Sequence, residues 1–166
     1  MVKMICAHGI NGEFGLNDGL PWDCPEDLAH FKEYTTGCIL VMSGPTFASL
    51  PFKLPGRRHI VLSDTESVAK NGDEPDFIVP SKTSLEALCR FLEGITGDTV
   101  CVIGGRRQLI EASLFVDAAS VTEMCNSYEA THYIDHDMLA DRLSSRMDWE
   151  ERKLTIDSEV FLYESR

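Results

Sequence analysis

The sequence predicts an α/β fold: a mixed, mostly parallel central sheet of about eight strands, helices on both faces, and an antiparallel hairpin at the C-terminal edge. Three observations predict it. Short apolar runs rich in β-branched residues alternate with amphipathic helical stretches, as in strand–helix–strand units. The last two strand-like runs have no helix between them. The 166 residues, 43% of them apolar, suit a single domain over 1–166 that buries its own core.

The elements follow in order. Met4 to Ala7 reads as a strand that begins almost at once. Gly9 to Asp23 carries Asn11-Gly12, Gly15 and Asp18-Gly19, a turn-rich stretch long enough to be a functional loop, and a lid is expected there. Pro25 to Tyr34 opens a helix with Pro at its first position and Glu26 and Asp27 in its first turn. Cys38 to Met42 is the next strand, and Ser43-Gly44-Pro45 after it is an ordinary helix entry. His59 to Leu62 and Phe77 to Val79 read as buried strands. Ser84 to Leu92 places Leu85, Leu88, Phe91 and Leu92 on one helical face. Thr99 to Ile103 is a strand that runs through Gly104-Gly105 into a helix from Arg106 to Leu114, with Leu109 and Ile110 inward. Val121 to Met124, Trp149 to Leu154 and Val160 to Tyr163 complete the set, and residues 155–159 read as a hairpin connection.

Composition excludes several functions. Fifteen Lys+Arg against 27 Asp+Glu give a formal charge of −12, which opposes nucleic acid and anionic membrane as partners. An anionic ligand must therefore meet locally concentrated bases. No apolar run approaches the roughly 20 residues of a membrane span, and the N-terminus lacks the features of a signal peptide. Six cysteines are scattered without a C-x-x-C pair. Cys6, Cys38 and Cys101 lie within apolar runs, so reduced core thiols and a cytoplasmic location are expected. His8, His30, His59, His132 and His136 offer no convincing metal-ligand spacing; His132 and His136 are four apart, but Asp135 and Asp137 beside them read as an acidic surface segment, and no metal is expected. G-x-S-x-G, H-E-x-x-H and Walker patterns are absent. No apolar surface stripe calls for a partner, so a monomer is expected.

Three places could carry chemistry. In Ile103-Gly104-Gly105-Arg106-Arg107, glycines at a helix start would let a phosphate approach the backbone, and the arginines add local positive charge. Taken alone, it reads equally as a tight strand-to-helix turn. Arg57, after Leu54-Pro55-Gly56, could grip a carboxylate with its planar fork, or be a solvated turn arginine. Asp27 shares a helical face with Phe31 and Tyr34. It is either an inward carboxylate of raised pKa or, like Glu26, a first-turn acid facing the helix dipole.

Together and in this order, these pieces resemble dihydrofolate reductase. The similarity runs from Met4 to the last strand. It rests on Gly15 with Leu20-Pro21-Trp22, on Pro25-Glu26-Asp27-Leu28-Ala29-His30-Phe31-Lys32, and on Leu54-Pro55-Gly56-Arg57. Val102-Ile103-Gly104-Gly105, Thr122 and Thr131-His132-Tyr133 complete it. The resemblance implies a three-layer fold of that family and hydride transfer from reduced nicotinamide C4 to C6 of 7,8-dihydrofolate, with N5 protonated through solvent. Asp27 is then the acid of the pterin pocket, held by Thr122, while Trp22 and Leu20 belong to the catalytic region with the loop. Ile5, Leu28, Phe31, Leu50, Leu54 and Ile103 would enclose the ring and the benzoyl group, and Arg57 would pair with the glutamate α-carboxylate. Ala7, Gly15, Gly44, Thr46, Ser63, Asp64, Lys82 and Leu109 would lie along NADPH. Gly104, Gly105, Arg106 and Arg107 would cradle its pyrophosphate, with the Gly104–Gly105 bond cis. Antifolates are implied as ligands.

Two departures from the family pattern matter. The arginine that usually holds the 2′-phosphate is replaced by Gly44 after Ser43, and Asp64 adds a negative charge nearby, with Lys82 and Arg58 the nearest compensating bases. Weakened NADPH preference, with NADH also accepted, is expected. Leu109 replaces the usual aromatic after the glycine motif, which predicts slower hydride transfer. Two other readings share the fold: a riboflavin-pathway reductase, and a non-catalytic folate- or nucleotide-binding module.

Overall fold

The computed structural model describes residues 1–154 and 160–165. An eight-stranded sheet runs in the order β5-β4-β3-β6-β1-β7-β10-β9. Its strands are β1 (Val2–Gly9), β3 (Ile39–Ser43), β4 (Arg58–Leu62), β5 (Phe77–Val79), β6 (Val100–Gly104), β7 (Ala118–Met124), β9 (Trp149–Lys153) and β10 (Val160–Ser165). The pairings from β5 to β7 are parallel, and β10 lies antiparallel to both β7 and β9, as expected of the C-terminal edge. The hairpin connection expected at 155–159 falls outside the described residues.

Among the described residues, five helices connect these strands: α1 (Pro25–Thr35), α2 (Gly44–Ser49), α3 (Leu85–Thr96), α4 (Arg106–Ala112) and α5 (His136–Ser144). Ser43 caps α2 and Ser84 caps α3, each accepting from a backbone N–H of the first turn. α3 ends at Gly97 with φ +72°, a left-handed residue that stops the helix. The sheet separates two main apolar layers. Val2, Met4 and Cys6 face a cluster with α3, α4 and α5, whereas Ile5, Leu40 and Met42 face the opposite one. This is the two-residue alternation of strands.

Several expectations need correction. The 9–23 segment is not loop throughout, because β2 (Glu13–Gly15) pairs with β8 (His132–Tyr133) in a small second sheet. The carboxylate of Glu13, 1% exposed, accepts from the backbone N–H groups of Asn11 and Tyr128, anchoring that sheet from inside. α5 appears where the sequence reads as an acidic surface segment; Leu139 and Leu143, four apart, bury its inner face. Phe91 points outward at 61% exposure, its place in the core taken by Cys89. β5 is an edge strand paired on one side only, so Phe77 and Ile78 are exposed rather than buried. Cys6, Cys24, Cys38, Cys89 and Cys101 are buried free thiols.

Candidate active site

Register builds the site. Ile5 pairs with Ser120 and Ala7 with Thr122, so these four side chains share the sheet face that α1 covers. Pro25 fixes the entry of α1, and Asp27 follows in the first turn. Its carboxyl is 8% exposed. Burial pushes its pKa above the ordinary carboxylate range, while the Thr122 hydroxyl and the His30 ring pull it back down. Of the two readings left open by the sequence, the inward carboxylate holds.

Thr122 Oγ1 stands near enough to influence Asp27, yet it closes no well-formed hydrogen bond. Trp22 Nε1 is likewise buried without a partner. A buried polar atom left unpaired costs about 1–3 kcal/mol, so both suit a site completed by a ligand or bound water. Trp22 packs with Cys24, Met124 and Ala7, joining the 9–23 segment to the sheet.

Beside the acid lies a continuous apolar wall. Phe31, Leu50, Leu54 and Ile103, all partly buried, pack on one cluster that includes Ile5. Leu28 and Leu20 remain about half exposed, outside the packed clusters. Arg57 sits at the far end of α1, donating from Nε to Pro55 O and from Nη1 to Thr35 Oγ1, each at 3.0 Å. Burial lowers its pKa, and it forms no ion pair among the described residues. Its remaining N–H groups suit an incoming carboxylate.

A polar turn forms where β3 and β6 end side by side. The Gly104–Gly105 peptide is cis, as the resemblance implies. Gly105 N donates to Ser43 Oγ at 3.1 Å, and the Ser43 and Thr46 hydroxyls are 3.0 Å apart. A Cβ on Gly104, whose φ is +151°, would lie 3.1 Å from Thr46 Oγ1. This cradle of small side chains and backbone fits a pyrophosphate, with the exposed Arg106 and Arg107 following it. Arg106 also donates to Tyr133 O, tying the turn to the second sheet. Ser43, which reads in the sequence as an ordinary helix cap before Gly-Pro, also accepts the Gly105 N–H at this turn.

Other assignments land differently. Gly15 lies in β2, where its carbonyl accepts from Thr131 N and a Cβ would press on His132. Leu109 is fully enclosed in the larger core cluster and has no surface to offer a cofactor. Gly44 is buried, with Ser63 Oγ 3.1 Å from its would-be Cβ, and Ser63 Oγ donates to Thr65 O. Asp64 is exposed and accepts from both the N–H and hydroxyl of Ser81, which lower its pKa; the exposed Lys82 follows Ser81. Arg58 is no compensating base for Asp64. It stands at the opposite end of β4 and pairs with Asp98. A separate cavity of about 210 Å³ lies on the other sheet face, lined by His8, Glu123, His136 and Trp149 among others.

Comparison with known proteins agrees with this geometry. The family model described as dihydrofolate reductase matches residues 1–158. A dihydrofolate reductase of Mycobacterium tuberculosis is 35% identical over 127 residues, covering 75% of this chain and 71% of its own. That of Bacillus subtilis is 29% identical over 169 residues, covering 100% and 95%. The structure of the Enterococcus faecalis dihydrofolate reductase complexed with NADP(H) and RAB-propyl superposes with a TM-score of 0.72 at 25% identity, covering 99% of this chain and 94% of that one. With its buried acid, apolar wall and glycine turn in the order the sequence announced, the chain belongs to the dihydrofolate reductase family.

Proposed function

We infer that this chain reduces 7,8-dihydrofolate to 5,6,7,8-tetrahydrofolate with NADPH, binds antifolates at the same site, and works as a cytoplasmic monomer of one domain. The observation that carries the reading is Asp27: a buried carboxylate on the α1 side of the sheet, with unpartnered Thr122 and Trp22 atoms nearby and an apolar wall beside it. Its two oxygens accept from the adjacent N–H donors of the amino-pyrimidine edge. Thr122 holds the carboxylate and, through water, the pterin amino group. Ile5, Phe31, Leu50, Leu54 and Ile103 hold the ring and benzoyl group, with Leu28 covering them. When bound, the reduced nicotinamide supplies the hydride that C6 accepts. Ala7 lines its side of the cleft, and Ser43, Thr46, Gly104 and Gly105 hold the pyrophosphate. The 9–23 segment, carrying Leu20, excludes water and then readmits it to protonate N5. NADPH oxidation that requires dihydrofolate and yields tetrahydrofolate tests the activity; binding of both without turnover favours the binding-module reading.

The unpaired Arg57 favours folate over a ribosylamino-pyrimidine, because it awaits a carboxylate at the end of an apolar wall. Arg57→Leu is expected to raise KM for dihydrofolate by about 10- to 100-fold, the worth of a charge-assisted pair. The same variant is expected to leave KM for dihydropteroate, which lacks glutamate, unchanged. Equal losses with both substrates would refute the assignment.

Gly44 supplies no side chain for a 2′-phosphate and Asp64 opposes one, so NADPH is favoured over NADH by less than about a hundredfold in kcat/KM. Asp64→Ala is expected to raise that ratio about fivefold, the scale of an exposed charge contact. An unchanged ratio would remove Asp64 from cofactor selection.

A further inference from the structure

The segment 50–57 carries three residues assigned to the substrate, Leu50, Leu54 and Arg57, yet it lies in neither a helix nor a strand. Its geometry must come from groups outside it. The 69–76 loop supplies several: Leu50 O accepts from Lys70 N at 2.9 Å, Lys53 N donates to Asp73 Oδ2 at 2.9 Å, and Lys53 Nζ donates to Asp76 Oδ1 at 2.7 Å. At the other end, Gly56 O accepts from Gly37 N at 2.9 Å. Between these anchors the Leu54 peptide is held by a side chain, its N–H donating to His59 Nε2 at 3.1 Å.

His59 is itself firmly placed. It is fully buried on β4 and pairs with Leu40 of β3, so its ring shares the sheet face of the apolar wall. Its backbone N–H donates to Asp76 Oδ2 at 2.7 Å. The fully buried Phe47 ring of α2 meets the imidazole edge-on, with centroids 5.7 Å apart, and fixes its plane. Because Nε2 accepts, the neutral ring carries its proton on Nδ1, which lies 3.8 Å from Asp76 Oδ2. Burial lowers the pKa of the ring, with Asp76 opposing and Lys53 and Arg57 adding to the effect, so Nε2 keeps its lone pair at neutral pH.

From the Leu54 peptide the influence of His59 reaches Arg57. Pro55 restricts Leu54 to extended backbone and has no N–H of its own, so the Leu54 N–H is the last backbone donor before Gly56. The Pro55 carbonyl then accepts from Arg57 Nε at 3.0 Å. We propose that His59 is the positioning residue for the glutamate end of the substrate: its Nε2 fixes the Leu54 peptide, and through Leu54-Pro55 it sets Leu54 against the benzoyl group and aims Arg57 at the α-carboxylate. The proposal rests on Leu54 and Arg57 forming that end of the folate site.

The test is KM and kcat for dihydrofolate and for dihydropteroate in the wild type, His59→Met, His59→Gln, Arg57→Leu and the double variant His59→Met with Arg57→Leu. Met fills the volume of the ring without a strong acceptor, whereas Gln carries a carbonyl oxygen as far along the side chain as Nε2. His59→Met is expected to raise KM for dihydrofolate about tenfold, the scale of a buried donor left unpaired. The rise for dihydropteroate and the fall in kcat are both expected to be several times smaller, and His59→Gln to recover most of the loss. In the double variant, His59→Met is expected to add less than about twofold to the effect of Arg57→Leu, because both act on one contact. An unchanged KM in His59→Met, equal rises for the two substrates, a loss in His59→Gln as large as in His59→Met, or full additivity would each overturn the proposal. If His59→Met does not fold, His59→Leu carries the same expectations, and an unchanged KM there overturns it too. If Arg57→Leu itself leaves KM for dihydrofolate unchanged, the reading of Arg57 falls, and the proposal with it.

Discussion

Asp27→Asn is expected to slow hydride transfer by about two to three orders of magnitude, within the range for loss of a positioned acid–base group. It is also expected to raise the melting temperature at neutral pH. The sign follows from linkage. Burial raises the folded-state pKa of Asp27 above 3.8, so the folded state binds this proton more tightly than the unfolded chain. The favourable contribution is full below the unfolded value and is lost as pH rises through the folded one. At neutral pH the ionised carboxylate therefore weighs against folding, and the neutral amide removes that cost. The stability gain must shrink as pH falls towards 3.8 and vanish below it. Thermal unfolding of both proteins from pH 3 to pH 8 checks this. A variant less stable than the wild type at pH 7 would show that the carboxylate is fully satisfied by protein groups, contrary to the unpartnered Thr122 hydroxyl.

Gly104→Ala is expected to lose about 1–3 kcal/mol of stability and to weaken NADPH binding by a comparable factor. Two causes act together. A φ of +151° is one that L side chains rarely adopt, and the new Cβ would stand 3.1–3.2 Å from the Thr46 side chain. Thr46 cannot retreat freely, because its hydroxyl meets Ser43 Oγ, which also receives Gly105 N–H. Thr46→Ser, which deletes the crowding methyl, is expected to recover part of the stability in the double variant. Thermal unfolding and NADPH titration measure both effects. Full stability and unchanged affinity in Gly104→Ala would show that the turn does not need glycine.

The sheet was legible because parallel strands buried on both faces are written as short apolar runs, and β1, β3, β4 and β6 each fall within a residue or two of such a run. The short pair β2 and β8 was not. Glu13-Phe14-Gly15 carries a carboxylate whose burial depends on the backbone N–H groups of Asn11 and of the remote Tyr128. α5 was hidden for another reason: its core leucines, Leu139 and Leu143, are set among Asp135, Asp137, Asp141 and Arg142. At the site, Asp27, the apolar wall and the glycine turn were legible from ordered motifs. The bond from Leu54 N to His59 Nε2 was not, since a strand side chain turned back to an irregular peptide leaves no periodic signal. Arg57 and Arg58 are neighbours of one type, and only the pairing of Arg58 with Asp98 separates a structural arginine from one left free for a ligand. Leu109 shows the reverse, where a position assigned by resemblance lies wholly in the core.

The most direct measurement is single-turnover reduction of 7,8-dihydrofolate by NADPH deuterated at C4, in the wild type and Asp27→Asn, with the product examined by NMR. Deuterium is expected at C6 of tetrahydrofolate, with a primary isotope effect on the observed step and a rate about a hundredfold or more lower in Asp27→Asn. Absence of transfer in the wild type, or equal rates in both proteins, would contradict this expectation.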